Sequence, residues 1–422
     1  MSTKDFIKPN FYVVSDRMNY TIRGEVCLLE HVDGVILQHA VDKAFQRYPY
    51  FSVQVVKEGE SYVLKDNPRP HNVWFGNDKV LLGSKSVNYH LVVVSYYENK
   101  IVFNVSHCIT DGAGRAPLTK TVLYYYLNER YGINLDPTGI NLAGDPLHDD
   151  ELTLPISLEE IMEADDTYFR PLGNPYKLTD GTKIHDREQR EFRFMVEEQE
   201  FMRLNKSSDA SPSVLASALL SQITWELNDN VDKDIVVNLC LNMRPGLGSK
   251  YNHWPMFACI PLTYKPVMKD YPLEKICTCS RGMVMIQSQP ENVQFLCKGA
   301  VQGMEAIESL PDLDSKIKVC SQSVYAPGGL MTATYIVSYV GKNNLGSLSP
   351  YIMAMFTTVD AIPSGGVIIE ITSADNKFYF TFMQDFSTDV YYKAFIKKLT
   401  DNNVKVTELG DNAIMAPRIL LP

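Results

Sequence analysis

From Asp33 onward, Ile36, Leu37, Ala40, Val41, Ala44 and Phe45 recur at i, i+1, i+4 and i+5, the spacing of one helix face. Asp33 caps that helix and the Arg47-Tyr48-Pro49-Tyr50 turn stops it. Apolar, β-branched and aromatic runs then predict strands at Phe51–Val56, Ser61–Leu64, His90–Tyr97 and Ile101–Val105. A helical pattern over Ala116–Arg130 ends at Gly132, a residue suited to the left-handed position after a helix. From Leu135 to Arg187 periodicity fades into a stretch rich in Pro, Asp and Gly, with one short helix expected at Leu158–Ala164. Such a stretch is too long for a tight connection within one sheet and is read as a crossover between two lobes. Beyond it the pattern predicts a strand at Glu191–Val196, a helix opened by Ser211-Pro212 through Val214–Leu227, and a strand at Ile235–Asn242. The C-terminal stretch is strand-rich and is expected to find sheet partners of its own. In it Val367–Thr372 and Lys377–Met383 flank the turn Ala374-Asp375-Asn376, and Val390–Leu399 forms a closing amphipathic helix.

The 422 residues exceed one ordinary core, so the chain reads as two α/β lobes of α+β sandwich character, residues 1–178 and 179–422, with a ligand tunnel between them. A net charge of −10 argues against nucleic acid as a partner. No apolar run reaches membrane-spanning length, and Met1-Ser2-Thr3-Lys4-Asp5 lacks the layout of a signal peptide. The 8 cysteines form no C-x-x-C pair and read as reduced thiols, which points to a cytoplasmic protein.

The candidate chemistry lies at Ser106-His107-Cys108-Ile109-Thr110-Asp111-Gly112, where an apolar strand runs into a glycine-rich turn. A histidine at a strand end, aimed into a cleft, can serve as general base, while the acid and glycines shape the turn behind it. H-x-x-x-D-G arises by chance in roughly 3% of chains with this much histidine, so the motif needs its context. Alternation turns Cys108 away from whatever His107 faces, which argues against a cysteine nucleophile. A metal site using His107, Asp111 and His253 or His90 lacks any H-E-x-x-H signature, and no metal is expected.

Four segments, in order, resemble the chloramphenicol-acetyltransferase-like superfamily and, within it, the condensation-domain-like and alcohol acetyltransferase families. They are Asp33 through Phe51 with its R-x-P-x-F turn, His107 through Gly112, Asn242-Met243-Arg244-Pro245 followed by Asn252, and Ser338-Tyr339-Val340-Gly341. The resemblance implies transfer of an acyl group, acetyl first among them, from a CoA thioester to an alcohol or amine, with His107 as base. No bound cofactor is implied, because acyl-CoA is a co-substrate, and an acyl carrier protein is the alternative donor. Asp111 and Gly112 would be structural, Asp111 pairing with Arg244. Ser338 would supply an oxyanion donor, and Asn252 would line the tunnel. Ser106 stands where many members carry a first histidine, which leans away from peptide-bond-forming condensation. Two alternatives stay open: a condensation-like domain acting on carrier-bound acyl groups, and a non-catalytic member that binds as a scaffold.

Overall fold

The computed structural model describes residues 8–15, 18–77, 80–165, 174–178, 189–324, 326, 332–359, 366–414 and 418–422. Residues 166–173 and 179–187 of the Leu135–Arg187 crossover lie outside that set, and its short helix spans Leu158–Glu163. The helix capped by Asp33 spans Gly34–Arg47, the Asp33 carboxylate accepting from the Val35 and Ile36 amides. Leu37, Ala40, Val41 and Ala44 are fully buried, and the helix packs on Gly112–Tyr131. This second helix begins four residues earlier than its apolar periodicity suggests. Asp111 is its N-cap and accepts from the Gly114 amide at 2.8 Å, so the motif itself opens the helix. Gly132 ends it at φ +62°. The hairpin between Val367–Ala374 and Lys377–Gln384 turns at Asp375 and Asn376, both with positive φ.

Two sheets organise the chain. A five-stranded sheet runs Ile352–Val359, Thr21–Leu28, Lys100–Ser106, Val92–Tyr97, Trp74–Phe75. A seven-stranded sheet runs Phe257–Tyr264, Ile235–Asn242, Tyr335–Lys342, Val367–Ala374, Lys377–Gln384, Gln189–Glu197, Val406–Ile414. One helix-and-sheet core gathers around Leu37, Phe103 and Val122, and another around Leu219, Val237 and Phe380.

Not all of the C-terminal strands pair among themselves, contrary to the sequence-based expectation. Ile352–Val359 crosses over and pairs antiparallel with Thr21–Leu28 in the first sheet. Thr21–Leu28 is buried at every position although it contains Arg23 and Glu25, which break its apolar pattern. Arg23 is met on its own side by Glu25 and Asn77, and Glu25 also across the boundary between the sheets. Arg193, from Gln189–Glu197, donates to Glu25 at 2.6 Å and also to Glu191, whose other oxygen accepts from Thr358 at 2.9 Å. Burial pushes the Glu25 carboxyl up, but Arg193, Lys100 and Arg23 outweigh it and hold it near 2. A carboxylate held below its ordinary 4.5 stabilises the fold above that pH and loses the contribution as pH falls toward 2. Glu25→Gln should therefore flatten the acid side of a melting-temperature profile. An unchanged acid slope between those two pH values would refute the coupling.

Between Tyr264 and Tyr335 lie three helices: Leu273–Gln287 packs on the second-sheet strand Phe257–Tyr264, whereas Pro290–Glu308 and Leu313–Ser323 pack on Lys8–Val13 and place Val293, Val301 and Leu313 in the first core. Exposed Met285 and Ile286, beside buried Ile276, Cys277 and Ser280, blur their periodicity in sequence. Among the described residues no helix is long and apolar enough to cross a membrane.

Candidate active site

Strand Lys100–Ser106 delivers His107 to the boundary between the sheets. The His107 amide donates to the Tyr20 carbonyl at 2.8 Å, holding the turn against the start of Thr21–Leu28. The imidazole is stacked between Tyr20 and Phe257, at centroid distances of 4.8 and 4.7 Å. Its Nδ1 lies 2.9 Å from the Thr110 carbonyl oxygen, which can only accept. Nδ1 therefore carries the proton and Nε2 the free lone pair. Burial pushes the imidazole pKa below its ordinary 6.5, against opposing pulls from Asp111 and the Thr110 carbonyl. The ring is thus neutral, and basic at Nε2, at neutral pH.

His107 lines an apolar cavity to which both sheets contribute. Tyr20, Ile22 and Thr357 come from the first sheet or its edge, and Cys240, Phe257, Ser338 and Glu370 from the second. A second cavity adjoins it, sharing Gly112, Ala113, Val340 and Thr357 in its walls and adding Arg115, Lys120 and Lys342. Gly112 is where the two meet and where Val340 packs against the helix start, so that a Cβ there would sit 3.0 Å from the valine. Gly114 is more constrained, since a Cβ would overlap the His253 carbonyl and the Thr110 hydroxyl.

Behind His107, Asp111 and Arg244 form a buried two-pronged ion pair at 2.8 and 3.0 Å. Arg244 also donates to the carbonyls of Asn252 and Trp254, each at 2.7 Å, and to the Asn242 side chain. The pair ties the motif turn to the segment that follows strand Ile235–Asn242.

One candidate residue takes another place than expected. Asn252 does not line the cavity. Its backbone carbonyl holds Arg244, its side-chain oxygen accepts from Trp254 N, and its amide donates to the Thr153 carbonyl. Both the oxygen and the nitrogen of this side chain are thus turned to the loop. Ser338 does line the cavity, where it lies opposite Glu370 in the parallel ladder. Cys108 is wholly buried and away from the cavity lining, and burial pushes its thiol up to about 12. His253 stacks on Tyr50 and bonds to the Glu151 carbonyl, while His90 bonds to the Arg69 carbonyl. Among the described residues no three His, Cys, Asp or Glu side chains are grouped to hold a metal.

Tyr20, Phe257, Arg115 and Glu370 were not evident from the sequence. The first three carry no motif. Glu370 did leave a signal, as the lone charge in the apolar strand Val367-Ile368-Ile369-Glu370-Ile371. Burial pushes its carboxyl up to about 7, against the Ser338 hydroxyl and Arg115. Arg115 lies flat against Gly24, where a Cβ would overlap the guanidinium, and donates to Thr357 at 3.2 Å.

No family model and no curated protein sequence matches this chain. Solved structures do. Polyketide synthase associated protein 5 from Mycobacterium tuberculosis superposes with a TM-score of 0.62 at 13% identity, over 94% of this chain and 96% of that one. TRI101 from F. graminearum, complexed with coenzyme A and T-2 mycotoxin, gives 0.61 at 10% identity, over 96% and 99%. The first condensation domain of the CDA synthetase gives 0.59 at 11% identity, over 95% of each chain. At these identities the likeness is one of fold, and it spans nearly the whole of each protein. The chain has the two-lobed chloramphenicol-acetyltransferase-like fold that condensation domains share.

Proposed function

We propose that this protein is an acyltransferase that moves an acyl group from a CoA thioester to an alcohol or amine, with His107 as general base. The observation that carries the reading is the imidazole itself. It is neutral, held in one tautomer by the Thr110 carbonyl, fixed in plane by Tyr20 and Phe257, and set in a cavity at the lobe boundary. A hydroxyl or amine is a poor nucleophile until its proton has an acceptor, and positioned base catalysis contributes about 10²–10⁴-fold. As the acceptor oxygen or nitrogen bonds to the thioester carbonyl carbon, its proton passes to Nε2. The tetrahedral intermediate then breaks its C–S bond, and the imidazolium returns the proton to the departing thiolate. Asp111 takes no part in proton transfer, because Arg244 and the Gly114 amide engage its carboxylate.

Two features support CoA as donor. The cavity adjoining His107 carries Arg115, Lys120 and Lys342, cations suited to an anionic cofactor, whereas the His107 cavity is mainly apolar. TRI101, alike in fold, was solved with coenzyme A and a small molecule bound. The test is thiol release from acetyl-CoA in the presence of a panel of alcohols and amines. Release that depends on acceptor supports the proposal, and none with any acceptor or acyl chain length refutes it.

A further inference from the structure

Strands Ile235–Asn242 and Phe257–Tyr264 set Cys240 directly opposite Cys259, and the two sulfurs lie 3.7 Å apart. In sequence they stand 19 residues apart, without the C-x-x-C spacing that would mark them. Both are half-buried, and both line the His107 cavity. Opposed residues of an antiparallel pair have Cα atoms about 4.5–5.5 Å apart and side chains on one face, which is within the span of a disulfide. Closing the sulfur gap to a bond of about 2.05 Å takes side-chain rotation and at most a small shift of the strands. The other thiols are placed differently: Cys27, Cys108, Cys277, Cys297 and Cys320 are buried, and Cys279 is exposed on the helix Leu273–Gln287. We propose that Cys240 and Cys259 are a redox-active dithiol in the cavity wall, which a hydroperoxide closes into a cross-strand disulfide. This goes beyond the acyltransferase reading and does not rest on it.

The two sulfurs have different parts in the reaction. The hydrogen bond to Cys259, together with burial, holds the Cys240 thiol well above its ordinary 9.0. Cys240 therefore keeps its proton and donates toward the Cys259 sulfur, which is left as the attacking atom. Once ionised, Cys259 displaces the terminal oxygen of the hydroperoxide. The O–O bond breaks, Cys259 becomes a sulfenic acid, and the released alkoxide takes up the proton that Cys259 lost. The Cys240 sulfur then attacks the Cys259 sulfur. The S–S bond forms, the S–O bond breaks, and the departing hydroxide takes the Cys240 proton to leave as water. Two thiols thus give up two electrons and two protons, and the hydroperoxide leaves as one alcohol and one water. A small dithiol reductant reverses the closure by thiol–disulfide exchange.

The test uses the whole folded chain, first reduced and then exposed to hydrogen peroxide. Digestion without reductant should yield a peptide cross-linked between Cys240 and Cys259, and dithiothreitol should abolish it. Exposed Cys279 reports in the same sample that the oxidant has acted. Cys279 oxidised while Cys240 and Cys259 remain thiols would overturn the inference. Two variants check the order of attack. In Cys240→Ser the sulfenic acid has no thiol to resolve it, so dimedone should label Cys259. In Cys259→Ser, labelling at Cys240 should be about tenfold weaker or less. Equal labelling in the two variants, or stronger labelling at Cys240, would overturn the assignment of Cys259 as the attacking sulfur. A last measurement needs no variant. Phenylarsine oxide condenses with two neighbouring thiols, forming two As–S bonds and releasing one water. The reduced native chain should capture one arsenical across Cys240 and Cys259 and then resist cross-linking by peroxide. No capture at this pair would show that the two sulfurs cannot act together and would overturn the inference. None of these readouts requires turnover, so a protein that forms the disulfide yet transfers no acyl group would sink the proposed function and leave the dithiol standing.

Discussion

His107→Ala should fold and yet lose about 10²-fold or more in turnover, because no other described side chain in the cavity offers a neutral nitrogen base. The loss should appear in kcat, since the imidazole acts on the proton that moves in the transition state. The wild-type profile supplies a second handle. The basic form of His107 is present above its pKa, which burial sets below 6.5, so activity should fall on acidification only below that value. The variant's residual activity should lack this acid limb. Melting temperature and circular dichroism separate a chemical loss from unfolding, given that the ring also packs between Tyr20 and Phe257. Wild-type turnover in a folded His107→Ala protein would end the general-base mechanism.

Asp111→Ala and Arg244→Ala should each destabilise the protein by about 3–5 kcal/mol, since each strands a buried charge whose partner is gone. The two losses differ in kind. Without Arg244, Asp111 keeps the Gly114 amide as a donor, while the Asn252 carbonyl loses the Arg244 donor and the Trp254 carbonyl is left with the Met256 amide. Without Asp111, Arg244 keeps those carbonyls, but the helix Gly112–Tyr131 loses its cap, a further cost of about 1 kcal/mol. The double variant removes both charges and should cost clearly less than the two single losses added together. Urea denaturation of the four proteins measures this, and strict additivity would show that the pair contributes no coupling. Turnover should fall in both single variants even where they remain folded, because the same turn carries Thr110, which fixes the His107 tautomer.

What was legible in the chain is what neighbouring residues decide. Asp33 before an apolar period, Gly132 after one, and Asp375-Asn376 between alternating runs produce a cap, a stop and a hairpin through contacts a few residues apart. The H-x-x-x-D-G segment belongs with these. Its strand end, N-cap and helix start are local, so His107 could be singled out without knowing what it faces. The Asp111–Arg244 pair was reached by resemblance, since 133 residues separate its members and spacing alone does not join them.

Tertiary structure decided everything that depends on desolvation by distant segments. Thr21–Leu28 is the central partner of two strands although Arg23 and Glu25 interrupt its pattern, because Arg193 and Lys100 pair with Glu25 and Glu25 in turn lies 3.6 Å from Arg23. Ile352–Val359 joins the first sheet rather than its sequence neighbours, a pairing that alternation along a strand cannot specify. Asn252 and Ser338 look alike as polar residues near motifs, yet one is consumed inside a loop and the other opens onto the cavity beside Glu370. Glu370 could be picked out as a charge in an apolar strand, but not given its near-neutral titration. That follows from taking a carboxyl out of water, a cost that Ser338 and Arg115 offset only in part. The sequence by itself determined the local frame and the histidine; long-range burial decided which polar groups meet it and in what protonation state.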